Sequence, residues 1–356
     1  MIRRHKFWIA AMLLGAIAGA TSVGVQAAEI GQVISAARKE ASAGVFFVSI
    51  TQPNQDRTYE ALLDAFKKQF NLNVQFEWQS HQQDYYVRVI TEAAAGRRTP
   101  DVISGSPANI IALDQAGVLE SYDWTRVFGK EMPRVADAVE RTIAPLRGKS
   151  LAHFDVIYTM VYNSKLISTA EVPRTLAELL DAKWQRKLVL NSGGSPYTTL
   201  GIALGREQVL EMVRKLKANR PVLKNGAPGV VAAVAVGEAP LGFGYTTGAE
   251  VEKAKGSPID WLPLTDYIPV LQQNLTVLKT AQRPNLARLF TAWAVSSGMD
   301  IQEKMEFMGR ATARGTRTWQ RLNDMSPKAQ IVEEKTAAET KLRGDLTTDI
   351  TKIFTQ

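Results

Sequence analysis

The segment 191–195 carries the residue types best suited to binding an anion. It reads Asn-Ser-Gly-Gly-Ser and separates an apolar run at 187–190, typical of a buried strand, from a stretch with helical spacing. Glycines allow main-chain N–H groups to approach a ligand closely, and the N-terminus of the following helix carries partial positive charge. Ser192, Gly193, Gly194 and Ser195 therefore suit a carboxylate, phosphate or phosphonate. The alternative is an ordinary strand-to-helix turn, with Ser195 as the helix cap and Pro196 at the first helical position.

Three other loops follow predicted strands in the same way. In open α/β sheets, ligands bind beyond the carboxyl ends of the strands, where loops meet helix N-termini. The serine and glycine content of the loop at 104–106 matches that of 191–195, so the two loops together favour a ligand with anionic or hydroxyl groups. The candidate residues in these loops are Thr51 and Gln52, then Ser104, Gly105 and Ser106, then Tyr245 and Thr246.

The sequence offers little for catalysis. The chain has no cysteine, no Gly-x-Ser-x-Gly motif and no metal-ligand spacing, and the two histidines after residue 28, at 81 and 153, stand in unrelated settings. A secreted hydrolase is therefore disfavoured, and no enzyme activity, cofactor or bound metal is expected. His81 lies near Tyr85 and Tyr86, but Tyr86 belongs to an apolar helical stripe, so core packing explains this cluster better than a metal site.

Residues 1–28 have the organisation of a secretory signal peptide. Arg3, Arg4 and Lys6 precede an almost uncharged apolar run, and Val25-Gln26-Ala27 offers a cleavage site near Ala27/Ala28. The alternative is an N-terminal membrane anchor, because the run approaches the length that spans a bilayer. We expect cleavage and a periplasmic protein. The formal charge of the whole chain is +8, and three of the positive charges lie in the predicted signal peptide. The other basic residues are scattered among acidic ones, so they do not predict nucleic-acid binding.

Strand and helix patterns alternate along the chain. The run at 45–50 is apolar and β-branched, 59–70 has helical spacing, and 72–78 alternates as a strand does. The order continues as βαβαβα and predicts an α/β fold with a largely parallel sheet covered by helices on both faces. Further strands are predicted at 155–162, 187–190, 241–245 and 274–279. From Pro284 onward the chain is mostly helical, and the polar segment 326–356 predicts a surface helix.

Five segments stand in an order that is specific to one family. They are AFKKQFNLNV at 65–74, EAAAGRRTPDV at 92–102, LDQAGVL at 113–119, VYNSKLI at 161–167, and 173–187 with PRTLAELL and KWQRK. Over about residues 29–300 this order and spacing resembles the family 1 extracellular solute-binding proteins of ABC importers, nearest to their ferric-iron-binding branch.

The resemblance implies a two-lobed, type II-like periplasmic binding protein. Each lobe is then a mixed, mainly parallel sheet flanked by helices, and crossover strands form the hinge. The ligand binds in the cleft between the lobes, the hinge closes around it, and an inner-membrane ABC permease recognises the closed form. The expected boundaries are lobe 1 at 29–160 plus about 268–300, lobe 2 at 161–267, and C-terminal helices at 301–356 of undecided lobe. A monomer is expected.

The resemblance also places three residues on the crossovers, at the floor of the cleft. These are Asp155 and Tyr158 on the outgoing crossover and Asp266 on the return. Asp155 either binds a ligand ammonium group or pairs with an arginine of one lobe.

The residues argue against ferric iron as the cargo. Ferric-binding relatives hold the metal with a pair of adjacent tyrosines, often with a histidine and a carboxylate. Here the corresponding pair reads Tyr245-Thr246, and the first-lobe loops offer Thr51, Gln52, serine and glycine. The favoured ligand is a small organic anion, such as a carboxylate, phosphonate or phosphorylated compound. Ferric iron and an amine or polyamine remain the alternatives within the same fold.

Overall fold

The computed structural model describes residues 29–50, 55–81 and 84–356. The predicted signal peptide and the residues Thr51 and Gln52 lie outside this part of the chain. The strands of the described part are β1 (Val45–Ser49), β2 (Gln75–Gln79), β3 (Val102–Gly105), β4 (Leu151–Asn163), β5 (Leu188–Asn191), β6 (Val222–Lys224), β7 (Leu241–Tyr245), β8 (Ile259–Leu262), β9 (Tyr267–Val277) and β10 (Gln330–Val332).

Helices alternate with these strands and dominate the end of the chain. Short 3₁₀ helices occur at Ala144–Leu146, Thr169–Glu171 and Ala182–Trp184. The α-helices are α1 (29–41), α2 (Asp56–Phe70), α3 (Tyr85–Ala94), α4 (Pro107–Gln115), α5 (Trp124–Phe128), α6 (Pro133–Arg141), α7 (Leu176–Leu179), α8 (Tyr197–Leu204), α9 (Arg206–Ala218), α10 (Gly226–Ala235), α11 (Thr246–Ala254), α12 (Pro284–Ala294), α13 (Ser297–Glu306), α14 (Arg317–Met325) and α15 (Ala337–Thr355).

The sheet is mixed, and its strand order is β2-β1-β3-β9-β4-β7-β5-β6, with β10 on β9 and β8 on β4. Pairs β1–β2, β1–β3, β5–β6 and β5–β7 are parallel, whereas β3–β9, β4–β7 and β4–β9 are antiparallel. The α/β class with helices flanking a mixed sheet is confirmed. The predicted site loops at 104–106, 191–195 and 245–246 lie at the carboxyl ends of β3, β5 and β7. Ligands of open α/β sheets bind at these ends.

Two hydrophobic cores lie on the two sides of the antiparallel pair β4–β9. The first core includes Phe46, Phe66 and Phe290, and the rings of Phe66 and Phe290 pack edge to face at 5.2 Å. The second core includes Phe243 and Trp261. We name the bodies around these cores the first lobe and the second lobe.

The strand β4 runs from one core into the other. Its Leu151 belongs to the first core and its Ile157 to the second, and β9 makes the same transition in the opposite direction between Val270 and Leu275. In the transition, Asp155 lies opposite Gln272. Both long strands thus connect the two lobes.

The chain connects the lobes a third time after α13. The main-chain N–H of Asp155 donates to the carbonyl of Gly309 at 3.0 Å, and the N–H of Ala311 donates to Oδ2 of Asp155 at 2.8 Å. Segment 307–316 therefore runs beside β4 before α14 begins in the second lobe, where Leu322 is buried.

The C-terminal helix α15 is more than the predicted surface helix. Its Leu346, Ile350 and Phe354 are buried in the second core, and the ring of Phe354 lies 5.6 Å from that of Tyr197. The prediction missed this packing although Leu346, Ile350 and Phe354 recur every four residues, a spacing typical of a buried helix face. A capping box at Thr336 and Glu339 starts the helix. Helix α15 also contacts α4 of the first lobe.

Candidate functional site

Two tyrosines of the second lobe lie side by side at the carboxyl end of β7. Tyr158 on β4 is the direct cross-strand partner of Tyr245 on β7, so their side chains share one face of the sheet. Both are largely buried, at 4% and 7% exposure. Burial is the main cause that raises the pKa of each phenol, so both carry a proton at neutral pH and can donate it in a hydrogen bond.

Ser195 belongs to the same cluster. Its side chain is a hydrogen-bonding partner of the Tyr158 phenol. It does not cap the following helix, because α8 begins at Tyr197 with Pro196 at the N-cap position and no side-chain cap. The expected strand-to-helix turn is present between β5 and α8, but the expected cap at Ser195 is wrong. The residue instead faces the crossover strand β4.

Asn191 organises the rest of this loop. Its Oδ1 accepts the N–H groups of Gly193 and Gly226 at 2.8 and 2.9 Å, and its Nδ2 donates to the carbonyl of Ser195 at 2.8 Å. The hydroxyl of Ser192 donates to the carbonyl of Lys224 at 3.2 Å. Ser192 and Gly193 thus hold the loop in shape, and Gly194, at φ +96°, packs against Thr198 and against Thr347 of α15.

Helix α15 brings an unpredicted arginine to this loop. The side chain of Arg343 is only 11% exposed and pairs with the buried carboxylate of Glu334. Its Nε has no hydrogen-bond partner within the described residues. The guanidinium lies close enough to Tyr158 to lower the pKa of that phenol against the larger effect of burial, and burial lowers the pKa of Arg343 itself. No local sequence signal distinguishes this arginine from its neighbours.

A buried carboxylate stands at the other side of the tyrosine pair. Glu306, the last residue of α13, accepts the main-chain N–H of Gln55 at 2.9 Å. Its charge adds to burial in raising the pKa values of Tyr245 and Tyr59. Helix α13 contacts both α2 of the first lobe and α11 of the second. Glu306 therefore lies between the lobes, another residue that the sequence did not reveal.

The first-lobe loop at 104–106 rests on a buried hydrogen-bonded chain. The phenol of Tyr86 donates to the carbonyl of Ser104 at 2.8 Å and therefore accepts from Nε2 of His81 at 2.9 Å. Nδ1 of His81 then accepts from the hydroxyl of Ser49 at 2.9 Å. Burial lowers the pKa of His81 to about 4, so the ring is neutral, with its proton on Nε2.

This chain fixes the ends of two neighbouring strands. Ser49 ends β1, and Ser104 lies in β3. The ring of Tyr86 covers Gly105, where a Cβ would lie 2.9 Å from the Tyr86 hydroxyl. Ser106 is half-buried at the N-cap position of α4. The loop is thus rigid, and its Ser106 end leads into the helix that α15 contacts.

The remaining predicted site residues of the described part have partners inside the protein or are buried. Asp155 holds Ala311 and lies 3.6 Å from the guanidinium of Arg141, which matches the pairing alternative rather than an ammonium site. Both oxygens of Asp266 accept main-chain N–H groups, from Leu176 and Tyr267, which gives it a structural role. Thr246 is fully buried, at 0% exposure, in the first turn of α11.

One cavity lies away from the predicted site residues, and another adjoins only Tyr245 among them. A groove of about 620 Å³ is lined by Ile30, Phe70, Arg134 and Asp300 on the first lobe and contains none of the predicted site residues. A cavity of about 160 Å³ adjoins Tyr245 between α10 and α11. Among the described residues, no group of three or more His, Cys, Asp or Glu side chains could hold a metal ion.

The sequence matches the family described as bacterial extracellular solute-binding protein over residues 51–300. This chain belongs to that family. The suspected relationship is thereby confirmed, and the chain is the substrate-binding component of an ABC transporter, a class of protein that works with a membrane permease.

Solved structures share the fold of this solute-binding protein at low sequence identity. The substrate-binding protein of an ABC transporter from Agrobacterium tumefaciens has a TM-score of 0.68 at 15% identity and covers 87% of this chain and 96% of its own. Iron-bound HitA from Pseudomonas aeruginosa has a TM-score of 0.66 at 18% identity, with 87% and 99% covered. AgtB from A. tumefaciens R10, in complex with agropinic acid, has a TM-score of 0.62 at 14% identity, with 88% and 99% covered. No curated protein sequence matches the chain.

These relatives establish the two-lobed periplasmic binding protein fold of this solute-binding protein, and the family is extracellular, which implies a periplasmic location. None of the helices in the described part of the chain is long and apolar enough to cross a membrane. The relatives bind unlike ligands, so the fold by itself does not determine the cargo.

Proposed function

We propose that this solute-binding protein captures a small organic anion, such as a carboxylate, phosphonate or phosphorylated compound, between its lobes. One observation carries this proposal. The Tyr158 phenol, the Ser195 hydroxyl and the Arg343 guanidinium meet at the carboxyl ends of β5 and β7. Hydroxyl donors and a poorly hydrated guanidinium are the groups that recognise carboxylate and phosphate oxygens.

The position of this cluster supports capture by closure. Helix α15, which carries Arg343, contacts α4 of the first lobe, and α4 follows directly on Ser106. An anion at Arg343 would therefore touch both lobes only when they are close together. A ligand that binds the closed form better shifts the population toward it, and the closed form is the one that we expect the permease to recognise.

Iron is not supported by the groups at hand. His81 is buried in the chain of hydrogen bonds under Ser104, and His153 is buried against Gln302 at 2.9 Å. Neither histidine reaches the tyrosine pair as a ligand without dismantling its own contacts.

A ligand panel tests the proposed function. Calorimetry and thermal unfolding of the purified protein would be measured with carboxylates, phosphonates, phosphate monoesters, polyamines and ferric citrate. We expect at least one organic anion to bind and stabilise the protein, by about 2.7 kcal/mol when the ligand concentration is about 100 times Kd. A response confined to polyamines or to ferric citrate would overturn the proposal.

A further inference from the structure

The C-terminal end of α6 contacts all three chain connections between the lobes. The carbonyl of Arg141 accepts from Nε2 of Gln272 on β9 at 3.3 Å, and the Arg141 guanidinium lies 3.6 Å from the carboxylate of Asp155 on β4. One turn earlier in the helix, Asp137 pairs at 2.5 Å with Arg310, which belongs to the third connection. This end of α6 therefore lies at the hinge.

Arg141 also reaches a residue of the second lobe. Its Nη2 lies 3.5 Å from Oε2 of Glu333. Arg141 ends α6, whose Val135 and Ala138 are buried in the first core. Glu333 directly follows β10, which pairs with β9 and whose Ile331 packs against the second core. Arg141 and Glu333 therefore join the two lobes, and we call them the hinge ion pair.

The strength of the hinge ion pair depends on how far apart the lobes are. Nη2 of Arg141 makes no hydrogen bond to the described residues, so its contacts with Glu333 and Asp155 are Coulombic and weaken as the charges separate. The side chains of the pair are only 14% and 15% exposed, so water and salt screen them less than a surface pair. Asp155 is fixed on the crossover by the N–H of Ala311, whereas Glu333 is carried by the second lobe.

The lobes touch at a second place in this structure. Helix α15, which packs on the second core, contacts α4 of the first lobe, so the hinge ion pair is formed while the lobes are close together. We propose that the hinge ion pair is a latch that favours this arrangement of the lobes over more open ones. The inference goes beyond the proposed function, because it concerns the ligand-free protein and applies to any ligand that binds the lobes in contact.

Two carboxylates share one guanidinium in this cluster. Burial is the main cause that raises the pKa of Glu333, the charge of Asp155 raises it further, and Arg141 lowers it. The guanidinium thus offsets a repulsion between Asp155 and Glu333. Loss of Arg141 should therefore open the lobes more than loss of the Glu333 charge does, and removing both should reverse part of that opening. A pair that only stabilised the fold would not produce this reversal.

Interlobe distances in the ligand-free protein test the latch. The chain has no cysteine, so Val87→Cys on α3 and Val236→Cys after α10, which are 68% and 78% exposed, place one spin label on each lobe for electron–electron double resonance. We expect Glu333→Gln to lower the population at the distance of the present arrangement about 2- to 5-fold, as for a modest ion pair. Arg141→Gln should lower it further, and adding Glu333→Gln to Arg141→Gln should raise it again.

Glu140→Gln is the matched control, because Glu140 is exposed on the same helix and loses the same charge. It should leave the distance distribution unchanged. Equal distributions in the wild type and Glu333→Gln, or equal shifts in Glu333→Gln and Glu140→Gln, overturn the latch, and so does a lower melting temperature of Glu333→Gln without a change in distances. If Arg141→Gln does not fold, the two glutamate variants decide by themselves. A negative ligand panel removes anion capture and leaves this measurement unaffected.

Discussion

Tyr158 and Tyr245 are direct cross-strand partners on β4 and β7. Tyr158 belongs to a strand that connects the lobes, and Tyr245 ends a strand of the second lobe. Because their phenols are buried and protonated, each can donate one hydrogen bond to a ligand oxygen.

Replacing Tyr158 by Phe should weaken anion binding about 5- to 10-fold, because a hydrogen bond contributes roughly 1 kcal/mol when its partner can be resolvated. The ring stays, so the melting temperature should change little. Calorimetric titration measures the affinity. The control is Tyr162→Phe on the same strand, whose hydroxyl contacts Thr169 at 2.8 Å. Equal affinity in Tyr158→Phe and the wild type would exclude this phenol from the site.

Replacing Arg343 by Gln should reduce anion affinity about 10- to 100-fold, since hydrogen bonds to a charged group contribute about 1.5–3 kcal/mol. The matched control is Lys341→Gln, which removes the same charge from an exposed position of α15 that pairs with Asp345. Titration of both variants with the best anion decides the matter. Parallel losses in the two variants would mean that net charge, rather than a contact at Arg343, governs binding.

Replacing Gly105 by Ala should disturb the first-lobe loop. The new Cβ would lie 2.9 Å from the Tyr86 hydroxyl and 3.1 Å from Ile110, so the chain from Ser49 to Ser104 must shift. We expect a loss of about 1–3 kcal/mol in the free energy of unfolding, measured by urea denaturation. Gly31→Ala is the control, because no atom lies within 4 Å of its new Cβ in helix α1, and it should be neutral or stabilising.

The stability of the fold should fall as the solution becomes more acidic than about pH 6.5. Burial lowers the pKa of His81 to about 4 and that of His153 to about 3. The unfolded histidines bind protons near their ordinary pKa of 6.5, so stability that is complete above this pH is lost progressively down to about pH 3–4. For each histidine, the free energy of unfolding should fall by about 2 kcal/mol when the pH is lowered from 7 to 5.

Urea denaturation at these two pH values measures that loss, and His153→Gln should remove about half of it. Burial raises the pKa values of Glu120 and Glu333, which stabilises the fold on acidification. The difference between variant and wild type therefore isolates the histidine better than either curve alone. An identical pH dependence of the two proteins would contradict the assignment.

Helix α15 should be required for the stability of the second lobe. Leu346→Ala removes a fully buried side chain that lies against Gly201, and we expect a loss of about 2–5 kcal/mol in the free energy of unfolding. The control is Leu166→Ala, because Leu166 is 54% exposed. Thermal and urea unfolding measure both. A loss within about 0.5 kcal/mol for Leu346→Ala would show that the helix packs loosely.

The sequence by itself determined the α/β class and the position of most elements. Leu62, Phe66 and Phe70 recur at helical spacing, and they are the buried stripe of α2. The apolar runs at 45–50, 187–190 and 241–245 become β1, β5 and β7. These patterns are local, because the period of the buried face depends only on the geometry of each element. The strand-end rule then selected Ser195 and Tyr245, and the resemblance added Tyr158.

Only the tertiary structure decided which of the candidates meet and which residues complete them. Arg343 and Glu306 lie on C-terminal helices, far along the chain from Tyr158 and Tyr245, and nothing in their neighbouring residues predicts a partner. Asp266 was expected to contact the ligand because of its position on the return crossover. Both of its carboxylate oxygens instead accept main-chain N–H groups. Which side chains meet depends on contacts between residues that are distant in sequence. The burial and the charged partners of a side chain are set by tertiary packing, whereas the spacing of apolar residues reports only on the local helix or strand.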